Sequence, residues 1–212
     1  MKVGILGSGD VAKSLGAGFL AHGHAVTLGT REPARLAAWL DGKGRGASAA
    51  SFRAAAQEAE LVVLAVKGLI AQTVLDAVGR EALQGKVVLD ATNPIAEGPP
   101  VNGVIRFFTG PNESLMERLQ AQVPGARFVK AYNSVGNSLM VNPKLSARPT
   151  MFICGNDDAA KKTVAGILEQ FGWDAEDVGK VESARAIEPL CILWCAPGFL
   201  RNDWAHAFKM VR

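Results

Sequence analysis

Apolar residues in this chain come in short solid runs separated by amphipathic stretches. Lys2–Leu6 is the first such run. Asp10–Ala21 then spaces Val11, Leu15, Gly18, Phe19 and Leu20 as one side of a helix. His24–Leu28 predicts a second strand, followed by a helix over Pro33–Leu40 in which Pro33 suits the first turn. A glycine-rich turn, 42-GKGRG-46, leads to a short third strand and a helix around Phe52–Glu58. The run 61-LVVLAV-66 has no polar position at all, as expected of a strand covered on both faces. A helix over Leu69–Val78 and a strand at 86-KVVLDA-91 continue the alternation.

The pattern changes at Thr92. From there to Pro111 the chain is rich in Pro, Gly and Asn and reads as a long loop, a feature that usually carries function. Two strand-like runs, 127-RFVKAY-132 and 150-TMFICG-155, bracket another irregular segment. Asp157–Phe171 is a good helix, and 173-WDAEDVG-179 leads out towards a C-terminal helical segment. Strands alternating with helices predict an α/β fold of the doubly wound Rossmann type, built on a mainly parallel sheet. The expected organisation is a single domain over residues 1–212, with 182–212 as a helical C-terminal extension, and 212 residues are enough to bury its core.

Composition narrows the partners. Lys and Arg number 23 against 20 Asp and Glu, and the net charge of +3 is spread along the chain, which gives little reason to expect nucleic acid or an anionic membrane. No segment approaches the ~18 uninterrupted apolar residues of a membrane span. The opening MKVGILGSG is too short in its apolar run and too glycine-rich for a signal peptide, so a cytoplasmic protein is expected. Three cysteines, at 154, 191 and 195, do not suggest a disulfide framework. Cys191 and Cys195 read as small hydrophobes on an apolar helix.

The candidate chemistry begins at 7-GSGDVA-12, a G-x-G-x-x-A fingerprint placed directly between the first strand and the first helix. Gly7 allows the tight turn, Gly9 lets the backbone approach a pyrophosphate, and Ala12 lets helix and sheet pack closely. The free N–H groups at the helix start favour the bound anion. An acidic residue at the end of the second strand would accept the ribose hydroxyls of NAD; here Gly29 is followed by Thr30, Arg31 and, further on, Arg35. Guanidinium groups and a hydroxyl suit a 2′-phosphate, which points to NADP(H). Val66 and Lys67 end the fourth strand, and Asn93 and Pro94 the fifth, on the edge where a nicotinamide should lie. Asn93 either binds a carboxamide or only shapes the turn.

Acids and bases are scarce. His22 and His24 sit at the end of the sheet away from the cofactor, and His206 is expected on the surface of an amphipathic helix. Tyr132, the one tyrosine, lacks a lysine at the short helical spacing of tyrosine-based reductases; Lys130 shares its face and is a possible substrate contact. Reduction of a carbonyl or imine calls for a placed proton donor, whereas hydride transfer between a nicotinamide and an isoalloxazine-like ring asks mainly for orientation. The second case fits better. Reduction of a small carbonyl or imine, and a non-catalytic NADP(H) sensor, remain as alternatives.

These motifs resemble the coenzyme F420-dependent NADP oxidoreductase family over essentially the full length, and also the NADPH-dependent reductase domain of the STEAP metalloreductases. The resemblance rests on 3-VGILGSGDVAKSL-15, 28-LGTR-31, 90-DATNP-94, 130-KAYNSVG-136 and 177-DVGKVESARAIEPL-190 with Trp194. It implies that Ser8, Gly9, Asp10 and Val11 line the pyrophosphate. It further implies that Thr30, Arg31 and Arg35 hold the 2′-phosphate, and that Asn133–Val135 pack near the nicotinamide. The second substrate it implies is coenzyme F420, FMN or FAD, and the assembly a homodimer with the C-terminal helices at its interface.

Overall fold

The computed structural model describes all residues, Met1–Arg212. Its framework is a six-stranded sheet of β1 (Lys2–Leu6), β2 (Ala25–Gly29), β3 (Ser48–Ala50), β4 (Leu61–Leu64), β5 (Val87–Asp90) and β6 (Arg127–Lys130). Every pairing is parallel, in the order β3-β2-β1-β4-β5-β6. That is the doubly wound order, with its reversal between β1 and β4. The crossovers are α1 (Asp10–Ala21), α2 (Ala37–Asp41), α3 (Phe52–Gln57), α4 (Gly68–Val78), α5 (Arg80–Leu83) and α6 (Leu115–Gln122). A 3₁₀ turn over Pro33–Leu36 runs into α2, so the single helix expected there is two short pieces.

Alternation along the strands sends side chains to opposite faces. Ile5, Val63, Leu89 and Val129 face a core shared with Leu15 and Phe19 of α1. Leu6, Val62, Leu64 and Val88 face a second core beneath α3, α4 and α6. Both faces are covered, which explains why β4 carries no polar position.

Beyond β6 the chain forms β7 (Thr150–Ile153), α7 (Asp158–Gln170) and β8 (Asp174–Asp177), the two strands pairing in parallel. A single antiparallel bridge, Lys130 with Cys154, joins this unit to β6. The segment 173–179, expected as a lead-out, therefore contains a strand; its DAED sequence has no apolar alternation to reveal it. The chain then passes through α8 (Ala184–Ile187) and α9 (Leu190–Arg201). Helix stops at Arg201. The tail doubles back along β7, where Thr150 N–H donates to the Phe208 carbonyl at 2.8 Å and Met210 N–H to Thr150 Oγ1 at 3.1 Å.

His206 is thus not on a helix, contrary to expectation. Its ring stacks on Trp194 with centroids 5.2 Å apart, and Trp194 Nε1–H donates to its carbonyl at 2.8 Å. No helix is long and apolar enough to cross a membrane.

Candidate functional site

Gly7 leaves β1 at φ +144, and its N–H donates to the Gly29 carbonyl at 2.9 Å, which ties the turn to the end of β2. A Cβ on Gly7 would lie 2.2 Å from the Ala65 carbonyl oxygen, so only glycine fits. Gly9 differs. It is exposed, and nothing lies within 4 Å of where its Cβ would be. The space over Gly9 is open to a ligand, while Ala12 is fully buried beneath it. No side chain caps α1, so the first-turn amides, including those of Asp10 and Val11, face an anion-ready end. Asp10 contributes through its amide; its exposed carboxylate adds no attraction for a phosphate.

Thr30 stands next to this turn. Its side chain is buried, its Oγ1 accepts the Glu32 N–H at 3.3 Å, and its hydroxyl reaches Ser8 Oγ at 3.4 Å. Arg31 is exposed and carries no ion pair. Arg35 is engaged with Glu32, Nε to Oε2 at 2.8 Å, with both side chains well exposed. The free guanidinium next to Thr30 in the chain is therefore that of Arg31. The open cradle and this donor set fit a dinucleotide bearing an extra phosphate.

Along the same edge, a cleft of about 480 Å³ opens at the ends of β4 and β5. Val66, Lys67 and Asn93 line it together, with Leu69, Ile70 and Ile95 as a partly exposed apolar rim. Gly68 makes the cleft possible: a Cβ there would sit 2.0 Å from the Asn93 carbonyl oxygen. Pro94 is buried just behind, its carbonyl accepting the Phe108 N–H at 2.9 Å.

Asn93 and Asn133 are brought together although one follows β5 and the other β6. Asn93 Nδ2 donates to the Asn133 carbonyl at 2.6 Å. Asn133 Nδ2 donates to the Ile187 carbonyl at 2.9 Å and reaches Asn93 Oδ1 at 3.3 Å. That bonding fixes the amide orientation and leaves Asn133 Oδ1 buried without a partner. Val135 is buried near Trp194, and Gly136 lets the Trp194 ring close over the segment.

Lys130 is not a substrate contact. It is fully buried, with Nζ 2.7 Å from Asp90 Oδ2, 2.9 Å from Glu188 Oε1 and donating to the Thr92 carbonyl at 3.0 Å. Burial alone would lower its pKa; the two carboxylates outweigh that and hold the ammonium above its usual range. Strand periodicity gave its face but not its depth. Tyr132 is equally buried at φ +61, its hydroxyl unpaired and its pKa pushed up by burial, so it offers the cleft no proton. Gly68, Thr92 and Glu188 escaped the sequence reading. The signals were a Lys-Gly start to a helix after a buried strand and the lone glutamate in 184-ARAIEPL-190.

With this geometry in hand, comparison with known proteins is informative. The profile of the family described as NADP oxidoreductase, coenzyme F420-dependent, matches residues 2–94. The F420-dependent NADP reductase of Methanothermobacter thermautotrophicus is 30% identical over 202 residues, covering 90% of this chain and 86% of that protein. Metalloreductase STEAP3 of Rattus norvegicus is also 30% identical, over 94% of this chain, which spans only 39% of the metalloreductase. A crystal structure from Arthrobacter sp. FB24, assigned as an F420-dependent NADP-reductase, superposes with a TM-score of 0.93 at 34% identity and covers both chains fully.

Proposed function

This chain belongs to the family of coenzyme F420-dependent NADP oxidoreductases, and from that premise we propose that it passes a hydride between NADPH and a deazaflavin or flavin. It is an NADPH-dependent oxidoreductase; the ring system of the acceptor is the part proposed. When bound, NADPH supplies a hydride from its nicotinamide, which the acceptor ring takes up with a proton from solvent.

The residues divide the work by position. Ser8, Gly9, Asp10 and Val11 present backbone amides to the pyrophosphate, while Thr30 and Arg31, with Arg35 behind, receive the 2′-phosphate. Asn93 and Asn133 orient the carboxamide, and the unpaired Asn133 Oδ1 is the acceptor that a carboxamide N–H satisfies. Val66, Leu69, Ile70 and Ile95 supply apolar walls for a flat ring, with Lys67 at the mouth for a polar edge.

One observation carries the choice of acceptor. The cleft holds Lys67 and Glu97, both exposed, and no histidine or tyrosine of the kind that protonates a carbonyl or imine. Ring-to-ring hydride transfer does not need one. The test is NADPH oxidation by the purified protein with coenzyme F420, FMN and FAD offered in parallel. Turnover with one of these rings supports the reading; reduction of simple ketones or cyclic imines with none of the three active overturns it.

Leu193, Phe199 and Leu200 on α9 are exposed beside Val101 and Val104, and Gly103 abuts Leu200. This apolar face supports a homodimer joined through the C-terminal helix, which light scattering tests directly.

A further inference from the structure

Asn93 and Asn133 meet through their hydrogen bonds, and further contacts hold each of them in place. Asn93 follows Thr92, whose carbonyl accepts from Lys130 Nζ at 3.0 Å. Thr92 is gripped again from the other side, its N–H and hydroxyl both donating to Asp90 Oδ1 at 2.9 and 2.6 Å. Asn133 follows Lys130 on the same β6 exit and donates to the carbonyl of Ile187, which immediately precedes Glu188. Each asparagine therefore lies three residues beyond a member of the buried Asp90–Lys130–Glu188 trio, Asn93 after Asp90 and Asn133 after Lys130.

Lys130 Nζ donates to the Thr92 carbonyl and lies within ion-pair distance of both Asp90 and Glu188. Glu188 also accepts the N–H groups of Leu115 and Met116 at 2.9 and 3.0 Å, so the start of α6 faces the extra negative charge of two carboxylates on one lysine. A buried ion pair is often no more stable than apolar side chains of the same volume. What it provides is fixed direction: apolar packing would not set the depth of Thr92 or the height of Ile187 to a few tenths of an ångström.

We propose that Asp90, Lys130 and Glu188 are positioning residues for the nicotinamide end of the site, acting through Thr92 and Ile187 on the Asn93–Asn133 pair. The inference rests on the reading that NADPH lies along this edge. The trio touches neither cofactor nor acceptor. It joins the exits of β5 and β6 to the start of α6 and the end of α8.

The test separates the nicotinamide end from the phosphate end. Thr92→Val deletes only the hydroxyl that bonds Asp90, and Glu188→Gln keeps the shape but removes the charge. Wild type and both variants are titrated calorimetrically with NADPH and with 2′,5′-ADP, which carries the 2′-phosphate and one 5′-phosphate but no nicotinamide. Both variants are expected to bind 2′,5′-ADP within about twofold of wild type and NADPH about 5- to 30-fold more weakly, the scale of one misplaced hydrogen bond. Equal change for both ligands, or no change for either, in Thr92→Val overturns the proposal. That variant decides alone if Glu188→Gln does not fold. Wild type that fails to bind 2′,5′-ADP refutes the cofactor reading itself, and the proposal with it. Wild type that binds 2′,5′-ADP as tightly as NADPH leaves the phosphate site standing and removes the nicotinamide contribution on which the trio would act.

Discussion

Asp90 and Lys130 are direct partners in the β5–β6 register, and their side chains meet 2.7 Å apart with no exposure to solvent. Each is the last residue of its strand, so the pair closes the sheet exactly where the site begins. Removing the lysine leaves two carboxylates buried without their cation. Lys130→Met should therefore destabilise the protein by about 3–5 kcal/mol, the usual cost of breaking a buried pair from one side. Urea denaturation at neutral pH measures it, and a loss below about 1 kcal/mol would show that water or relaxation compensates the site.

The two glycines of the site predict phenotypes that differ in stability. Gly68→Ala brings a methyl to 2.0 Å from the Asn93 carbonyl oxygen, so α4 and the Asn93 turn must part, lowering both thermal stability and NADPH affinity. Gly9→Ala meets nothing in the protein and should lower stability by no more than about 1 kcal/mol as an N-cap change. Its methyl instead occupies the space read as the pyrophosphate seat, so NADPH affinity should fall at least about 10-fold, the equivalent of ~1.4 kcal/mol. Thermal melts alongside a fluorescence titration separate the two; unchanged binding by Gly9→Ala would place the dinucleotide elsewhere.

Much of this was legible in the sequence because it is local. The Asp10–Ala21 helix, the apolar strands and the G-x-G-x-x-A turn each announce themselves within a few residues, and the structure gives α1 those same bounds. The cradle was legible for the same reason. Lys130 was not: its partners lie on β5 and beyond α8, and nothing in 127-RFVKAY-132 distinguishes a buried lysine from one facing a ligand. β8 was missed because a polar edge strand needs no apolar alternation, and the course of the tail because its anchors on β7 are backbone groups. Gly68 reads as a helix start until the Asn93 turn is placed against it.

Alkaline pH should unfold the protein through its buried acids. Burial pushes the Cys154 thiol up to about 12, from an ordinary value of 9.0. Between those values the unfolded thiol has lost its proton while the folded one keeps it, so stability falls as pH rises through that window. Below pH 9 the thiol contributes nothing to the slope. Tyr132, held well above its usual 10.0 by burial, adds loss in the same direction from about pH 10. The Cys191 thiol, held up by its hydrogen bond with Cys195 and by burial, adds loss from the same pH. Denaturation midpoints should thus decline above pH 9, and Cys154→Ala should make that decline shallower. An unchanged slope would assign the alkaline transition to other groups.

Arg31 carries the central claim, because it follows Thr30 at the end of β2 and is exposed and unpaired, whereas Arg35 already holds Glu32. A charge-assisted hydrogen bond contributes roughly 1.5–3 kcal/mol. The most direct measurement is the affinity of wild type and Arg31→Ala for NADPH and NADH in one titration series. The account predicts that wild type prefers NADPH and that the substitution weakens NADPH by about 10- to 150-fold while leaving NADH nearly unchanged. Equal losses for both cofactors, or no loss for either, would contradict it.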